Sequence, residues 1–296
     1  MTSLLLLLSC TGDPETDDSG PAPEPEFQFS FAIFADPHIT ANVERQERLA
    51  GAVQWVNENA AAEQIELVWV VGDIGWGEGL PIARALLDEL DVTYLPVLGD
   101  NEIHFGDEAA FDVIFDSHYG LLENTLDGWQ RGTIEVYNPV YEQTSWLQNF
   151  SFEHRGLRWL GLDWNSRSES NLYSEFAELN DFEGGTLPFF TDQLGGLEAG
   201  PDEDVLLFSH HPMHIGAFDL VQMEALASVT GPIDGRVAGA YAGHVHLDAT
   251  VEVEEGGYTA FVTDAIWDDK NTVRLVEVWS DGTTHTYVQR LEVVPW

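Results

Sequence analysis

The sequence predicts an α/β fold, and three observations carry that expectation. Strongly apolar segments of strand character occur around Phe29, Phe31, Ile33 and Phe34, at residues 65–71 and at residues 94–98. Between them, residues 44–61 and 81–90 have helical character. Several of the strand-like segments run out into a short polar motif. Strands alternating with helices pair in parallel through right-handed crossovers, so their carboxyl ends share one edge of the sheet. Ligands in open α/β sheets gather at that edge.

The folded part opens at Phe27, and its first strand ends at Asp36. In residues 44–61, Leu49, Val53 and Val56 fall near helical spacing while Glu44, Arg45, Glu47 and Arg48 form a wet face. The run I-E-L-V-W-V-V at 65–71 reads as a buried strand that delivers Asp73, and the strand at 94–98 delivers Asp100. Residues 107–188 are less regular and rich in aromatics, with a strand expected at 157–162. Strands at 205–208 and 237–241 lead to His210 and to the His244/His246 pair. Alternating runs at 251–253, 259–262, 273–279 and 284–293 are expected to be antiparallel strands completing a second sheet. There is no internal repeat.

Ahead of this domain, spanning residues 27–296, lie two segments of different composition. In residues 1–10 an apolar run from Leu4 to Leu8 is followed by Ser9 and Cys10, which resembles the lipobox of bacterial lipoproteins. Cleavage there would leave Cys10 as a lipidated first residue. The run is short and lacks a preceding Lys or Arg, so a truncated signal or a mis-chosen start is the competing reading. Residues 11–26 are Pro, Asp, Glu, Ser and Gly with almost nothing to bury, a solvated tether. Together these segments predict a protein of the cell envelope, outside the cytoplasm and held at a membrane through Cys10. Cys10 is the only cysteine, so no intrachain disulfide forms.

The formal net charge is -41, and Lys270 is the only lysine. Such a surface repels nucleic-acid backbones and anionic lipid, so no nucleic-acid binding is expected. Excess acid with few lysines suits a salty medium, where self-repulsion is screened.

Five polar runs carry the chemistry: Asp36-Pro37-His38, Gly72-Asp73, Gly99-Asp100-Asn101-Glu102, His210-His211 and Gly243-His244-Val245-His246. Carboxylate oxygen and imidazole nitrogen without thiolate suit Mn, Fe, Zn or Ni, and a pair of such ions activates water against a phosphorus ester. In Asp36/His38 and His244/His246 the spacing of two suits a loop or extended segment, where alternate side chains share a side. No G-x-S-x-G elbow, P-loop or zinc-finger cysteine pattern occurs.

This order of runs resembles the calcineurin-like metallophosphoesterase family. The resemblance implies a four-layer α/β sandwich of two mixed β-sheets flanked by helices, holding two divalent or mixed-valence ions. Asp36, His38 and His246 would bind the first ion, and Asp73 would bridge both. His210, His244 and a residue of the third run would hold the second. The reaction implied is hydrolysis of a phosphomonoester or phosphodiester by hydroxide held between the ions, without a phosphoenzyme.

The third run departs from the family, whose usual Gly-Asn-His supplies an asparagine ligand and a histidine near the leaving group. Here Asp100 and Asn101 align with that pair. Asp100 is the favoured ligand from the glycine alignment; a one-residue shift would make Asn101 the ligand and put Glu102 in the histidine position. Asn101 cannot donate a proton at a useful pKa. His104 and His214 are the candidate proton donors, although loop histidines near a metal more often position neighbouring groups or face water. His211 is expected to orient the loop beside Pro212. Trp76 stands where the purple acid phosphatase branch has an iron-binding tyrosine, which argues against that branch. Arg131, Arg155 and Arg167 are candidates for holding phosphate. The aromatics Trp129, Tyr137, Tyr141, Trp146 and Trp164 are expected to anchor irregular segments rather than line a substrate wall. The rival reading is a metal-binding surface lipoprotein with impaired catalysis, motivated by the missing histidine.

Two predictions follow from composition. Cells grown with labelled palmitate should label this protein, and Cys10→Ala should release it or leave it unprocessed; an unlabelled, soluble native protein rejects the anchor. Carboxylate repulsion opposes compaction and is screened beyond about 10 Å at roughly 0.1 M salt. The melting temperature should therefore rise between low and molar NaCl, in metal-loaded and chelated protein alike, with chelation most harmful at low salt. A melting temperature indifferent to salt in both forms rejects the reading.

Overall fold

The computed structural model describes residues 24–104, 106–168, 176–199, 204–268 and 271–291. Cys10, most of the tether and Lys270 lie outside the described residues. The first half of the chain runs β1 (Phe27–Phe34), α1 (Val43–Glu63), β2 (Ile65–Val71), α2 (Gly79–Leu87), β3 (Thr93–Val97), α3 (Asp100–His104), α4 (Glu108–Thr125), β4 (Asp127–Arg131), β5 (Glu135–Asn138) and β6 (Gln143–Trp146). There follow β7 (Phe150–His154), β8 (Leu157–Leu162), α5 (Thr186–Leu194), β9 (Val205–Ser209), α6 (Leu220–Thr230), β10 (Val237–Ala242), β11 (Ala249–Val253), β12 (Tyr258–Val262), β13 (Thr272–Trp279) and β14 (Thr284–Arg290).

From Phe29 onward β1 is buried on both faces, as an apolar strand inside a covered sheet must be. It pairs in parallel with β2, which pairs in parallel with β3. The crossovers are α1 and α2. Asn42 fixes the start of α1 by accepting hydrogen bonds from the Glu44 and Arg45 amides. The first sheet has the order β14-β13-β1-β2-β3, and the second β11-β12-β10-β9-β8-β7-β4. Strands β8, β9, β10 and β12 run parallel, while β4, β7 and β11 pair antiparallel.

Aromatic rings join the two sheets face to face. Phe31 of β1 meets Trp159, Phe208 and Tyr241 edge-on at centroid separations of 5.0, 5.6 and 5.6 Å, and Trp69 of β2 stacks flat on Phe208 at 3.7 Å. Each such pair adds about 0.5–1.5 kcal/mol beyond its area burial and fixes the lateral position of one sheet on the other. The buried faces of α1, α2 and α4 cover the first sheet, and Phe190 and Leu194 of α5 with Leu226 of α6 pack against Leu160, Leu162 and Leu207 of the second. The result is helix, sheet, sheet, helix: the four-layer arrangement that the family resemblance implies.

Two details differ from that expectation. First, β13 and β14 belong to the first sheet, where β13 lies antiparallel against β1, and β12 runs parallel to β10. Alternation identifies a strand and its buried face, but says nothing about which neighbour it takes. Second, residues 107–188 are more ordered than their composition suggests, since they contain α4, five strands and the start of α5. In α4, Phe111, Phe115, Tyr119 and Leu122 recur every three or four residues, a helical period hidden among other aromatics. Tyr119 donates its hydroxyl to the Pro96 carbonyl at 2.7 Å, docking α4 on β3. Of the five aromatics singled out, Trp164 is buried and Trp129 stacks on Phe150 at 5.2 Å as anchors do, whereas Tyr137 is exposed. Among the described residues no helix is long and apolar enough to cross a membrane.

Candidate metal centre

Parallel pairing brings the carboxyl ends of β1, β2, β3, β9 and β10 to one edge, where the two sheets meet. Two groups of side chains converge there. Asp36, His38, Asp73 and His246 form one, and Asp100, His210 and His244 the other; within each group, ligand atoms lie within 4.8 Å of one another. These are the seven residues that the sequence marks as metal ligands. In the first group His38 Nε2 lies 3.0 Å from Asp73 Oδ2 and 3.9 Å from Asp36 Oδ1, and His246 Nε2 lies 3.5 Å from Asp36 Oδ1. In the second, Asp100 Oδ1 is 2.6 Å from His210 Nε2 and 3.4 Å from His244 Nδ1. Asp73 reaches both: its Oδ1 lies 3.4 Å from His210 Nε2 while its Oδ2 faces His38.

The backbone is bent to achieve this. Asp36, His38, Asp73, His244 and His246 all have positive φ, between 48° and 69°. Asp and His tolerate the left-handed region better than most residues, yet each such position costs of order 1 kcal/mol or more and persists only where its surroundings hold it. Two glycines make room. A Cβ on Gly99 would sit 2.0 Å from the Asp73 amide nitrogen, and one on Gly72, at φ +84°, would sit 2.4 Å from His210 Nδ1.

Three carboxylates are buried here, with Asp36, Asp73 and Asp100 no more than 5% exposed. Burial drives carboxyl pKa values up, but at Asp36 the hydrogen bond to His246 and the charges of His210, His246 and His38 outweigh it and hold the group below its usual value. Asp100 is held well below its usual value in the same way, burial being overcome by its bonds to His210 and His244. His210 moves the other way: burial lowers it, and Asp73, Asp100 and Asp36 together raise it well above the usual imidazole value. His210 Nδ1 lies 2.9 Å from the Val71 carbonyl and can only donate to it, and in the protonated ring Nε2 donates to Asp100 at 2.6 Å; loss of that proton would leave Nε2 with the lone pair a cation takes.

Divalent ions fit this donor set. His38 Nε2 is buried and makes no hydrogen bond, because its approach to Asp73 is off hydrogen-bond geometry. Anionic oxygens enclosed with a lone imidazole nitrogen are what a hard or borderline cation takes, and a carboxylate between two donor groups offsets repulsion between neighbouring cations.

The other marked residues divide. Asn101 donates its amide to Asp73 Oδ1 at 2.9 Å and its side-chain Nδ2 to Asp73 Oδ2, so it orients the shared carboxylate and lies outside both ligand groups. Asp100 takes the place beside His210 and His244. Glu102 is fully buried and accepts from the Gly75 and Gly99 amides at 2.9 and 2.8 Å, tying two strand-end loops together; burial, then the charge of Asp73, pushes it up to about 8. His104, at the end of α3, and His214 lie outside both groups, and His214 Nδ1 is 2.6 Å from the Ile215 carbonyl of its own loop. The His211 ring packs 4.2 Å from that of His244, a positioning contact.

The three arginines proposed for phosphate are engaged elsewhere. Arg167 is enclosed between Asp163 and Glu108, Arg131 binds Asp112 and Gln148, and Arg155 pairs with Glu66. Sequence reasoning also missed Trp267, which stacks on His38 at 5.4 Å and meets His246 edge-on at 5.6 Å. Its only signal is position, five residues beyond the end of β12.

The profile of the calcineurin-like phosphoesterase family matches residues 29–248, three quarters of the chain and all seven ligand positions. The chain belongs to that family. Similar solved structures include GAP50, the anchor in the inner membrane complex of Plasmodium (11% identity, 91% of this chain and 90% of that one, TM-score 0.48). They include the purple acid phosphatase PPD1 from yellow lupin (Lupinus luteus) seeds (14% identity, 88% and 53%, TM-score 0.42) and phosphopantetheinyl hydrolase from Mycobacterium tuberculosis (13% identity, 80% and 90%, TM-score 0.42). Among curated proteins no sequence relative is found.

Purified protein should bind about two divalent ions per chain, as metal analysis would read. Asp73→Asn should lower that content while far-ultraviolet circular dichroism stays native. Full metal content in Asp73→Asn would remove this residue from the ligand set.

Proposed function

We propose that this protein hydrolyses phosphomonoesters or phosphodiesters with a pair of divalent ions. The observation that carries the reading is the placement of Asp73 between two ligand groups at the strand-end edge. Ions held there would supply Lewis-acid charge against phosphoryl oxygens and a nucleophile at neutral pH. The chain's own residues prepare the site. The His210 to Val71 contact fixes the imidazole tautomer, Asn101 holds both oxygens of Asp73, and the Asp36 carboxylate accepts the His244 amide at 3.0 Å, tying the first group to the loop that carries His244 and His246. Trp76 and Trp267 cover the His38 ring and exclude water from that side.

The proton for the leaving group is the part this chain treats differently. Asn101 occupies the family's histidine position, carries no titratable proton and is spent on Asp73. His104 and His214 lie outside the ligand groups. The site therefore suits leaving groups that depart without a proton. That same feature favours a second reading, a metal-binding surface protein with impaired turnover.

Hydrolysis of p-nitrophenyl esters in the presence of Mn should exceed that of alkyl esters by orders of magnitude, and Asn101→His should narrow the gap. Equal rates on both leaving groups would assign the proton transfer to another residue. Absence of p-nitrophenol release from protein carrying two ions would reject hydrolysis in favour of the binding reading.

A further inference from the structure

Ten arginines and one lysine face 52 acidic residues in this chain, so a cation without a carboxylate beside it is unexpected. Eight of the ten arginines lie within ion-pair distance of an acid. Among the described residues the two without such a partner are Arg290, exposed on an edge strand, and Arg45, which stands at the metal centre. Glu44, next to Arg45 in sequence, is spent on Arg48 at 2.7 Å.

Two contacts hold Arg45, one with a member of the first ligand group and one with the tryptophan packed against it. Its Nη1 donates to the carbonyl of His38 at 3.0 Å, and its guanidinium carbon lies 4.8 Å from the ring centroid of Trp267. Trp267 in turn stacks on His38 and meets His246. Neither a carbonyl nor an indole cancels the positive charge. A guanidinium has five N–H donors, and the carbonyl occupies one of them. A half-buried, pre-oriented fork with donors to spare recognises phosphoryl oxygens by parallel N–H···O bonds, at low entropic cost because its neighbours already hold it.

We propose that Arg45 binds phosphoryl oxygens of the substrate at the rim of the first ligand group, with Trp267 as its platform. For turnover this rests on the phosphoesterase reading; for anion binding it stands alone. It also replaces Arg131, Arg155 and Arg167, whose charges are consumed by Asp112, Glu66 and the Asp163/Glu108 pair.

The test is calorimetric titration of the Mn-loaded full chain with inorganic phosphate, alongside steady-state kinetics on p-nitrophenyl phosphate. Arg45→Gln should weaken phosphate binding by roughly 10-fold or more and raise KM by a similar factor, with kcat and metal content little changed. Arg45→Lys, which keeps the charge and loses the fork, should fall between. Arg155→Gln removes the same charge at the opposite end of the sheets and should bind phosphate as the parent does. Trp267→Leu, a second variant should Arg45→Gln fold poorly, should weaken phosphate less than loss of the arginine. Unchanged phosphate affinity in Arg45→Gln, or equal weakening in Arg155→Gln, overturns the proposal. A parent protein that binds phosphate through Arg45 yet releases no p-nitrophenol would sink the hydrolytic reading and leave this one standing. A parent that binds no phosphate sinks this one whatever its turnover.

Discussion

Three carboxylates buried within reach of one another are the constraint on which the rest of this structure depends. Asp36, Asp73 and Asp100 sit at the ends of three successive parallel strands, and none is more than 5% exposed. An ionised carboxylate removed from water costs several kcal/mol unless cations compensate it, and three together repel one another as well. Histidines supply part of the compensation, which is why His210 is driven well above its usual pKa while Asp36 and Asp100 stay below theirs. A cation that displaces those protons meets a preformed anionic cage. The acids make a folded but costly site, which bound metal would make favourable.

The geometry of that cage comes from the sheets rather than from the loops. A flat stack of Trp69 on Phe208 and the edge contacts of Phe31 set the register between the two sheets, so β9 and β10 end opposite β1 and β2. The His210 to Val71 contact then closes the seam between sheets at the site itself. Positive φ at five ligand residues turns their side chains inward, and Gly72 and Gly99 let neighbouring strand ends approach closely enough for Asp73 to serve both groups. Strain in the backbone is tolerated because the strands that lead into these bends are fixed by an aromatic core between the sheets.

How much of this was legible in the sequence depended on the distance over which each signal acts. The strands that carry Asp36, Asp73, Asp100, His210 and His244 are apolar runs with a polar end, so strand and ligand are read together from local pattern. The division into two ligand groups came from the family resemblance, and the fold brings the same residues together. Pairing partners were not legible: β13 lies against β1 although some 240 residues separate them, a choice made by tertiary packing. The arginines failed for a related reason. Arg167 looks like a phosphate ligand in a list of cations, but its role is set by Asp163 and Glu108, which only the fold places around it. Trp267 has no motif at all and becomes meaningful only when the end of β12 is seen to point at His38 and His246.

Net charge gives the last connection between sequence and chemistry. An anionic substrate approaching a chain of charge -41 meets repulsion over most of the surface. Eight arginines do nothing to relieve it locally, because each is matched with an acid and presents little net field. The attraction that would draw a phosphoester in has to be generated at the site. Arg45 has no ion-pair partner among the described residues and stands beside the ligand groups, and the aromatic walls of Trp76 and Trp267 lower the local dielectric so that its charge acts more strongly than it would in water. Most of the positive potential would then have to come from bound metal, so in this acidic chain the ions that would assist the reaction would also make the site attractive to an anionic substrate.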